Sequence, residues 1–292
     1  MKYAYLIIAH TEFGLLENLL SILDNPNNDL FVHIDKKVTY TVGYQPKYSQ
    51  LFTIPDNKRV GVQWGEDSLI HAELTLYRYA QETGTYGYYH LISGIDMPIK
   101  SQKYIHDFFE RHKGCEFIGL TSDAPDTELR LMYFHFFIPR KGLPRSVKWV
   151  RRLLHSGLLA VQKALNIRRA NYTWNILAKG TEWCSLTHAA VAYILDHEDL
   201  IRKRFVYTLA CDEVYKQTLL MNSPFADRLY DKKDEGKGCV RLIDWKRGYP
   251  YEWTMHDWDE LMNSDLLFAR KFTSRHIGLV DKLTGWLKES QI

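Results

Sequence analysis

Two short constellations in the chain carry residue types suited to acid–base and electrostatic chemistry. Near the end of the chain, Arg270 and Lys271 sit in an apolar frame of Leu267, Phe268 and Phe272. Burial on either side of a basic pair fixes where its charges point, and fixed cations meet carboxylate or phosphate. Upstream, Asp212 and Glu213 stand at the head of an amphipathic stretch, 214–220. An acidic pair in that position either caps the helix, where negative charge suits the dipole, or supplies a carboxylate base. The residues alone leave both readings open. The literal Asp-x-Asp, Asp257-Trp258-Asp259, falls on a helical stretch near the C-terminus and reads as surface. Cys115, Cys184, Cys211 and Cys239 are scattered with no Cys-x-x-Cys, so they make no metal knuckle and fit a reduced setting.

Such groups need a scaffold. Strands are expected at 3–9, 30–34, 88–93 and 116–120. Helices are expected at 13–23, at 68–79 with Asp67 or Ser68 as its cap, and at 103–111. This alternation predicts a parallel sheet covered by helices. Ligands of such sheets lie beyond the carboxyl ends of the strands, which is where His10, Asp35 and Asp96 fall. The second half reads as strand 183–186, helices 188–195 and 213–221, strand 240–243, helix 256–263 and a C-terminal helix. No Gly-x-Gly-x-x-Gly or Walker loop occurs, which argues against a dinucleotide or ATP enzyme.

At 292 residues, 46% hydrophobic and 25% charged, the chain has the make-up of one large soluble domain or two tightly joined halves. The net charge of +3 is too small to imply nucleic acid. The chain opens directly on a strand-like run with no signal peptide, and no apolar run approaches the roughly twenty residues that span a bilayer.

The middle of the chain is basic. From 129 to 181 there is no acidic residue, and eleven Lys or Arg lie there: Arg130, Arg140, Lys141, Arg145, Lys148, Arg151, Arg152, Lys163, Arg168, Arg169 and Lys179. Val147, Val150, Leu154, Leu158, Val161 and Leu165 recur at helical spacing, with Lys148, Arg152, His155, Gln162 and Lys163 on another side. This predicts a basic amphipathic helix. Its apolar face either packs on the protein's own core or, through 140–169, meets an anionic membrane surface.

Leu267-Phe268-Ala269-Arg270-Lys271-Phe272 resembles the closing motif of the core-2/I-branching glycosyltransferases and their peptide O-xylosyltransferase relatives. Other segments agree in order: 3–10, Val32-His33-Ile34-Asp35-Lys36-Lys37, Val62-Gln63-Trp64-Gly65, 90–100, Glu182-Trp183-Cys184-Ser185-Leu186-Thr187, and Asp212-Glu213. The resemblance covers nearly the whole chain apart from about 128–179.

The resemblance implies a fold of the GT-A type, with a Rossmann-like nucleotide-binding half (1–128), the basic insertion (129–179) and an acceptor half (180–292). It implies an inverting transfer from a UDP-sugar to a glycan hydroxyl. N-acetylglucosamine in a β-1,6 branch is the foremost outcome; xylose, galactose and glucose are the alternatives. It places the catalytic base at Glu213, with Asp212 as the helix cap. Ser93-Gly94-Ile95-Asp96 stands where a metal-binding Asp-x-Asp would fall, and its first carboxylate is missing. The core-2 branch works without metal, so no cofactor is expected. Lys271 matches the motif lysine on the diphosphate, and Arg247 lies one residue off the position of a second cation. Arg270 is left facing solvent. Asp35 and His10 are candidates for the nucleoside, His10 alternatively for a buried structural role. Glu182, Trp183 and Trp245 are candidates for the acceptor, one or both tryptophans alternatively for the core. The family's N-terminal anchor is absent, so a bacterial-type cytoplasmic enzyme is expected, at the inner face of the plasma membrane if the basic segment docks there. Its acceptor would be polyprenyl-diphosphate-linked, as in capsule or exopolysaccharide assembly. The rival reading is a non-catalytic glycan- or membrane-binding module on a degenerate transferase fold.

Overall fold

The computed structural model describes all residues except 122–123, 139, 141, 170–173 and 291–292. Lys141 of the basic middle therefore lies outside the described residues.

Among the described residues nine strands form two sheets. Their ranges are β1 (Tyr3–Ala9), β2 (Asn28–Ile34), β3 (Gln50–Thr53), β4 (Tyr88–Ser93), β5 (Met97–Pro98), β6 (Phe117–Ile118), β7 (Cys184–Thr187), β8 (Arg241–Ile243) and β9 (Phe268–Arg270). The main sheet runs β3-β2-β1-β4-β7-β6, and the small one β5-β9-β8. In the main sheet β3, β2, β1 and β4 are mutually parallel, while β7 is antiparallel to both β4 and β6. The expected mostly parallel, helix-covered sheet is present.

The continuous apolar run of β1 is explained by burial on both faces. Tyr3, Tyr5, Ile7 and Ala9 pack with helix Phe13–Leu23 and with Leu279, Val280 and Leu283 of helix Ile277–Glu289. Ala4, Leu6 and Ile8 pack with helix Ser68–Thr83 and helix His188–Asp196. Helices from the second half of the chain thus help to cover both faces of a sheet begun by the first residues.

Parallel register aligns the strand ends that matter. Ala9 pairs with Ile34 and Ile8 with Ser93, so His10, Asp35 and Gly94 leave the sheet side by side. A Cβ on Gly94 would come within 3.0 Å of the Ala9 Cβ, so this crossing is tight enough to favour glycine. The small sheet zips Met97 to Ala269, which sets Asp96 beside Arg270.

Helix Arg145–Ala164 forms where the periodicity predicts it. Its orientation is the reverse of a core helix. Leu153, Leu154, Val150, Val161 and Trp149 are 58%, 44%, 47%, 50% and 64% exposed. The side turned to the protein is polar. Arg151 donates to the Ile138 carbonyl, His155 Nδ1 to the Phe136 carbonyl, and Gln162 bonds the backbone of Phe134 in both directions. The core-packing alternative for the apolar stripe is therefore excluded.

Candidate active site

Glu213 closes the 3-10 turn Cys211–Glu213, which leads into helix Tyr215–Met221. Every residue from Tyr215 to Leu220 is buried, and Lys216 forms a buried ion pair with Glu73. The turn is thus fixed from behind. In front, the Glu213 carbonyl accepts from Gly180 N at 2.9 Å. A Cβ at Gly180 would fall 1.8 Å from the Gly119 oxygen, so only glycine permits this approach.

The Glu213 side chain is 37% exposed, and its Oε2 accepts from Arg130 Nη1 at 2.6 Å. Arg130 Nε also pairs with Asp126 at 2.8 Å, and Lys179 Nζ holds the same Asp126 oxygen at 2.6 Å. Burial, then the neighbouring Asp212 charge, push the Glu213 carboxyl above its ordinary range, and Arg130 partly offsets them. A partly exposed carboxylate with a raised pKa and one fixed oxygen is arranged for proton abstraction.

Asp212 is not a helix cap. No side chain caps either the turn or the helix after it. Instead Asp212 is buried and hydrogen-bonds Glu182. Burial and then Asp212 push the Glu182 carboxyl well above its usual range, and the positive charge of Arg270 works in the opposite direction. Glu182 therefore holds its proton to a higher pH than an ordinary carboxyl.

Arg270 does not face solvent. Its Nη1 donates to Asp96 Oδ1 at 2.7 Å and to the Ser93 hydroxyl, and its guanidinium lies 4.8 Å over the Trp183 ring. Asp96, 3% exposed, also accepts from Ser93 N at 2.7 Å and Ser93 Oγ at 2.9 Å. The carboxylate at the end of β4 therefore carries a guanidinium. Asp96, Arg270, Glu182, Asp212, Glu213 and Arg130 form a charged line in which three acids lie between two bases, with buried Trp183 beneath Arg270. Among the described residues no group of three His, Cys, Asp or Glu is placed to hold a metal ion.

Lys271 follows in the chain. Its Nζ lies 3.3 Å from Glu252 Oε1, its N–H donates to Tyr251 O, and its carbonyl accepts from Trp253 N. Arg247 approaches the same Tyr251–Trp253 segment, with its guanidinium 4.3 Å from the Tyr251 ring and 5.2 Å from the Trp253 ring. Three carboxylates hold it: Asp244, Asp257 and Glu260. Asp257 is thus not the surface residue expected of the Asp-x-Asp stretch. It is 7% exposed and forms a capping box with Thr254.

At the carboxyl end of β2, Asp35 is 4% exposed and accepts from Lys37 N at 2.8 Å and Val62 N at 3.2 Å, which ties the end of β2 to the loop before helix Ser68–Thr83. His10 is exposed, which removes its buried structural reading. Trp245 is 49% exposed while Trp183 is 5%, so the two tryptophans split between surface and interior.

Arg130, Ser93 and Arg270 were missed as site residues. The one signal for Arg130 was its place as the first base of the acid-free stretch. A cleft of about 290 Å³ lies elsewhere, beside helix Arg145–Ala164, lined by Glu66, Phe136, Phe137, Arg140, Arg151 and Tyr207 among others. None of the expected site residues lines it, and its two acids already have partners, Glu66 in Arg140 and Asp67 in His71.

The family model of the core-2/I-branching enzyme matches residues 3–267. The match ends just before β9, so the Arg270-Lys271 pair lies outside it. Xylosyltransferase 2 of Rattus norvegicus is 24% identical over 306 residues, covering 94% of this chain and 32% of its own length. Xylosyltransferase 1 of Homo sapiens is 22% identical over 296 residues, covering 93% of this chain and 29% of its own length. The chain spans about a third of the length of the curated relatives it matches.

Proposed function

The chain belongs to the core-2/I-branching enzyme family, its α/β architecture is consistent with a GT-A-type glycosyltransferase fold, and from that premise we propose that it transfers a sugar, with inversion, from a UDP-sugar to a glycan hydroxyl. The observation that carries this reading is Glu213. It is partly exposed, raised in pKa and fixed by Arg130, at one end of a charged line that leads to the carboxyl ends of the parallel strands.

In the proposed reaction Glu213 removes the proton of the acceptor hydroxyl. The acceptor oxygen bonds to the anomeric carbon as the bond from that carbon to the diphosphate breaks, and UDP departs. Glu182, whose proton is held more tightly than in an ordinary carboxyl, stands behind the base as a donor to the acceptor. Asp35, His10 and Asp96 belong to the nucleotide end, and Trp245 offers an exposed aromatic face to a sugar.

The departing diphosphate needs positive charge. Lys271 supplies it in this proposal. Arg247 joins it by exchanging the exposed carboxylate of Glu260 for a phosphate oxygen, a small loss because surface pairs contribute about 0–1 kcal/mol. Arg270 on Asp96 occupies the carboxylate that would otherwise invite a divalent ion, which supports a metal-independent reaction. The proposed donor is UDP-N-acetylglucosamine and the product a β-1,6 branch in capsule or exopolysaccharide assembly, on a polyprenyl-diphosphate-linked acceptor. The names of the xylosyltransferase relatives make UDP-xylose the second donor to test.

The test is UDP release from a panel of UDP-sugars in EDTA, paired with binding to Lys271→Ala. Release should persist in EDTA, and the variant should lose affinity for UDP by about tenfold or more while uridine binding changes little, as befits a lost charge-assisted phosphate contact. A requirement for Mn²⁺ or Mg²⁺, or equal losses for UDP and uridine, would overturn the assignment.

A further inference from the structure

We propose that helix Arg145–Ala164 docks the protein on the surface of an anionic lipid bilayer, with its polar side held by the protein and its apolar side in the lipid interface. The inference rests on the inverted orientation of the helix and is independent of the transferase reading.

An amphipathic helix of a soluble protein turns its apolar face inward. Here the inward positions are Lys148, Arg151, His155, Leu159 and Gln162, and Gln162 is the one buried residue of the helix. At roughly 100° per residue, Val150, Leu154 and Val161 line one outer flank, Leu153 the crest, and Trp149 the opposite flank. All are well exposed. Leu165 and Ile167, 66% and 44% exposed, continue the apolar surface past the helix end. A contiguous exposed patch of this kind marks an interaction surface.

Charge selects the occupant. The structure uses several of the basic residues internally: Arg140 pairs with Glu66, Arg168 with Glu128, Arg151 caps the Ile138 carbonyl, and Arg169 bonds Thr208 and the Val206 carbonyl. Arg145, Lys148, Arg152 and Lys163 make no ion pair among the described residues. Arg145, Arg152 and Lys163 lie beyond Trp149 on the same flank, where long side chains reach lipid phosphates while their stems cover apolar surface. With no acid from 129 to 181, nothing in the segment repels such a surface. Exposed leucine and valine, one interfacial tryptophan and flanking bases are the make-up of an interfacial helix.

Vesicle flotation of the full chain tests this, with phosphatidylcholine vesicles against vesicles also containing phosphatidylglycerol. The protein should float with the anionic vesicles at low salt and be released at high salt. Arg145→Gln, Arg152→Gln and Lys163→Gln together should weaken partition roughly 100-fold, at about fivefold per charge near such a surface. Leu153→Glu with Leu154→Glu should abolish it, and because both side chains are exposed the thermal midpoint should stay near wild type. Arg151 is left intact because its contact holds the helix in place. Quenching of Trp149 by brominated lipid, lost in Trp149→Phe, should place that flank in the interface. Wild type that ignores anionic vesicles at low salt overturns the proposal. So does a concentration-dependent dimer that Leu153→Glu disperses without any vesicle binding.

Discussion

The sheet core and helix Arg145–Ala164 use the same apolar periodicity for opposite ends. In helix Phe13–Leu23 every leucine is buried against the sheet, and the spacing of apolar residues reports the inward face. In helix Arg145–Ala164 the same spacing reports the outward face, because Arg151, His155 and Gln162 have taken the inward one through backbone carbonyls. Periodicity tells which residues share a face. What that face meets is decided by what the other face can bond to.

The contrast is broken most strongly in the core. Leu19 is fully buried, and Leu19→Ala should cost about 2–5 kcal/mol through lost transfer energy and the cavity left behind. Urea unfolding with an unchanged m-value would show it. A loss below 1 kcal/mol would mean the first helix is not part of the core.

A second effect comes from buried histidines. Burial lowers His33, His106 and His135 to about 4 from an ordinary 6.5, and holds the fully buried His90 well below 6.5. Below pH 6.5 the unfolded chain binds more protons at these positions than the folded one, so their contribution to stability rises with pH through this window. The carboxyls raised by burial, Glu73, Glu116, Glu182 and Glu213, contribute a slope of the opposite sign. The histidine part is therefore read as a difference. Relative to wild type, the urea midpoint of His135→Gln should rise as pH falls from 7 to 5, and a difference that does not change with pH would contradict a buried neutral His135.

The smallest effect is expected on the outward helix. Leu154 is 44% exposed, and Leu154→Ala should change stability by no more than about 0.5 kcal/mol. A core-sized loss would show that the stripe is covered in the folded protein, against the orientation described.

Much of the sheet was legible, and parts of the site were not, for identifiable reasons. β1 is a continuous apolar run and β2 and β4 carry short apolar stretches, all buried on both faces, so composition marks them. β3 was missed because Gln50–Thr53 is an edge strand with partly exposed residues and no alternation. β9 was missed because three residues carry no period, and with it went the role of Arg270, which depends on β5 pairing with β9. Buried Arg241, which bonds Ser185 and the Leu91 and Cys184 carbonyls, lies on a strand that was expected, but its partners come from strands far away in sequence. Asp212 was expected as a cap because it stands before a helix, yet the contact that claims it comes from Glu182, far away in sequence. Glu213 was nameable only through family likeness, and its partner Arg130 through nothing local. Arg247 matched a family position with a one-residue gap, and its three carboxylate partners lie on a loop and helix that spacing does not bring together.

The central claim is that Glu213 is the base of a glycosyl transfer, and turnover of Glu213→Gln tests it most directly. UDP release from UDP-N-acetylglucosamine and UDP-xylose, with a glycan acceptor present, should fall by roughly 10²–10⁴ against wild type, while the affinity for UDP and the thermal midpoint stay unchanged. Near-normal turnover in Glu213→Gln, with whichever donor wild type uses, would contradict the account.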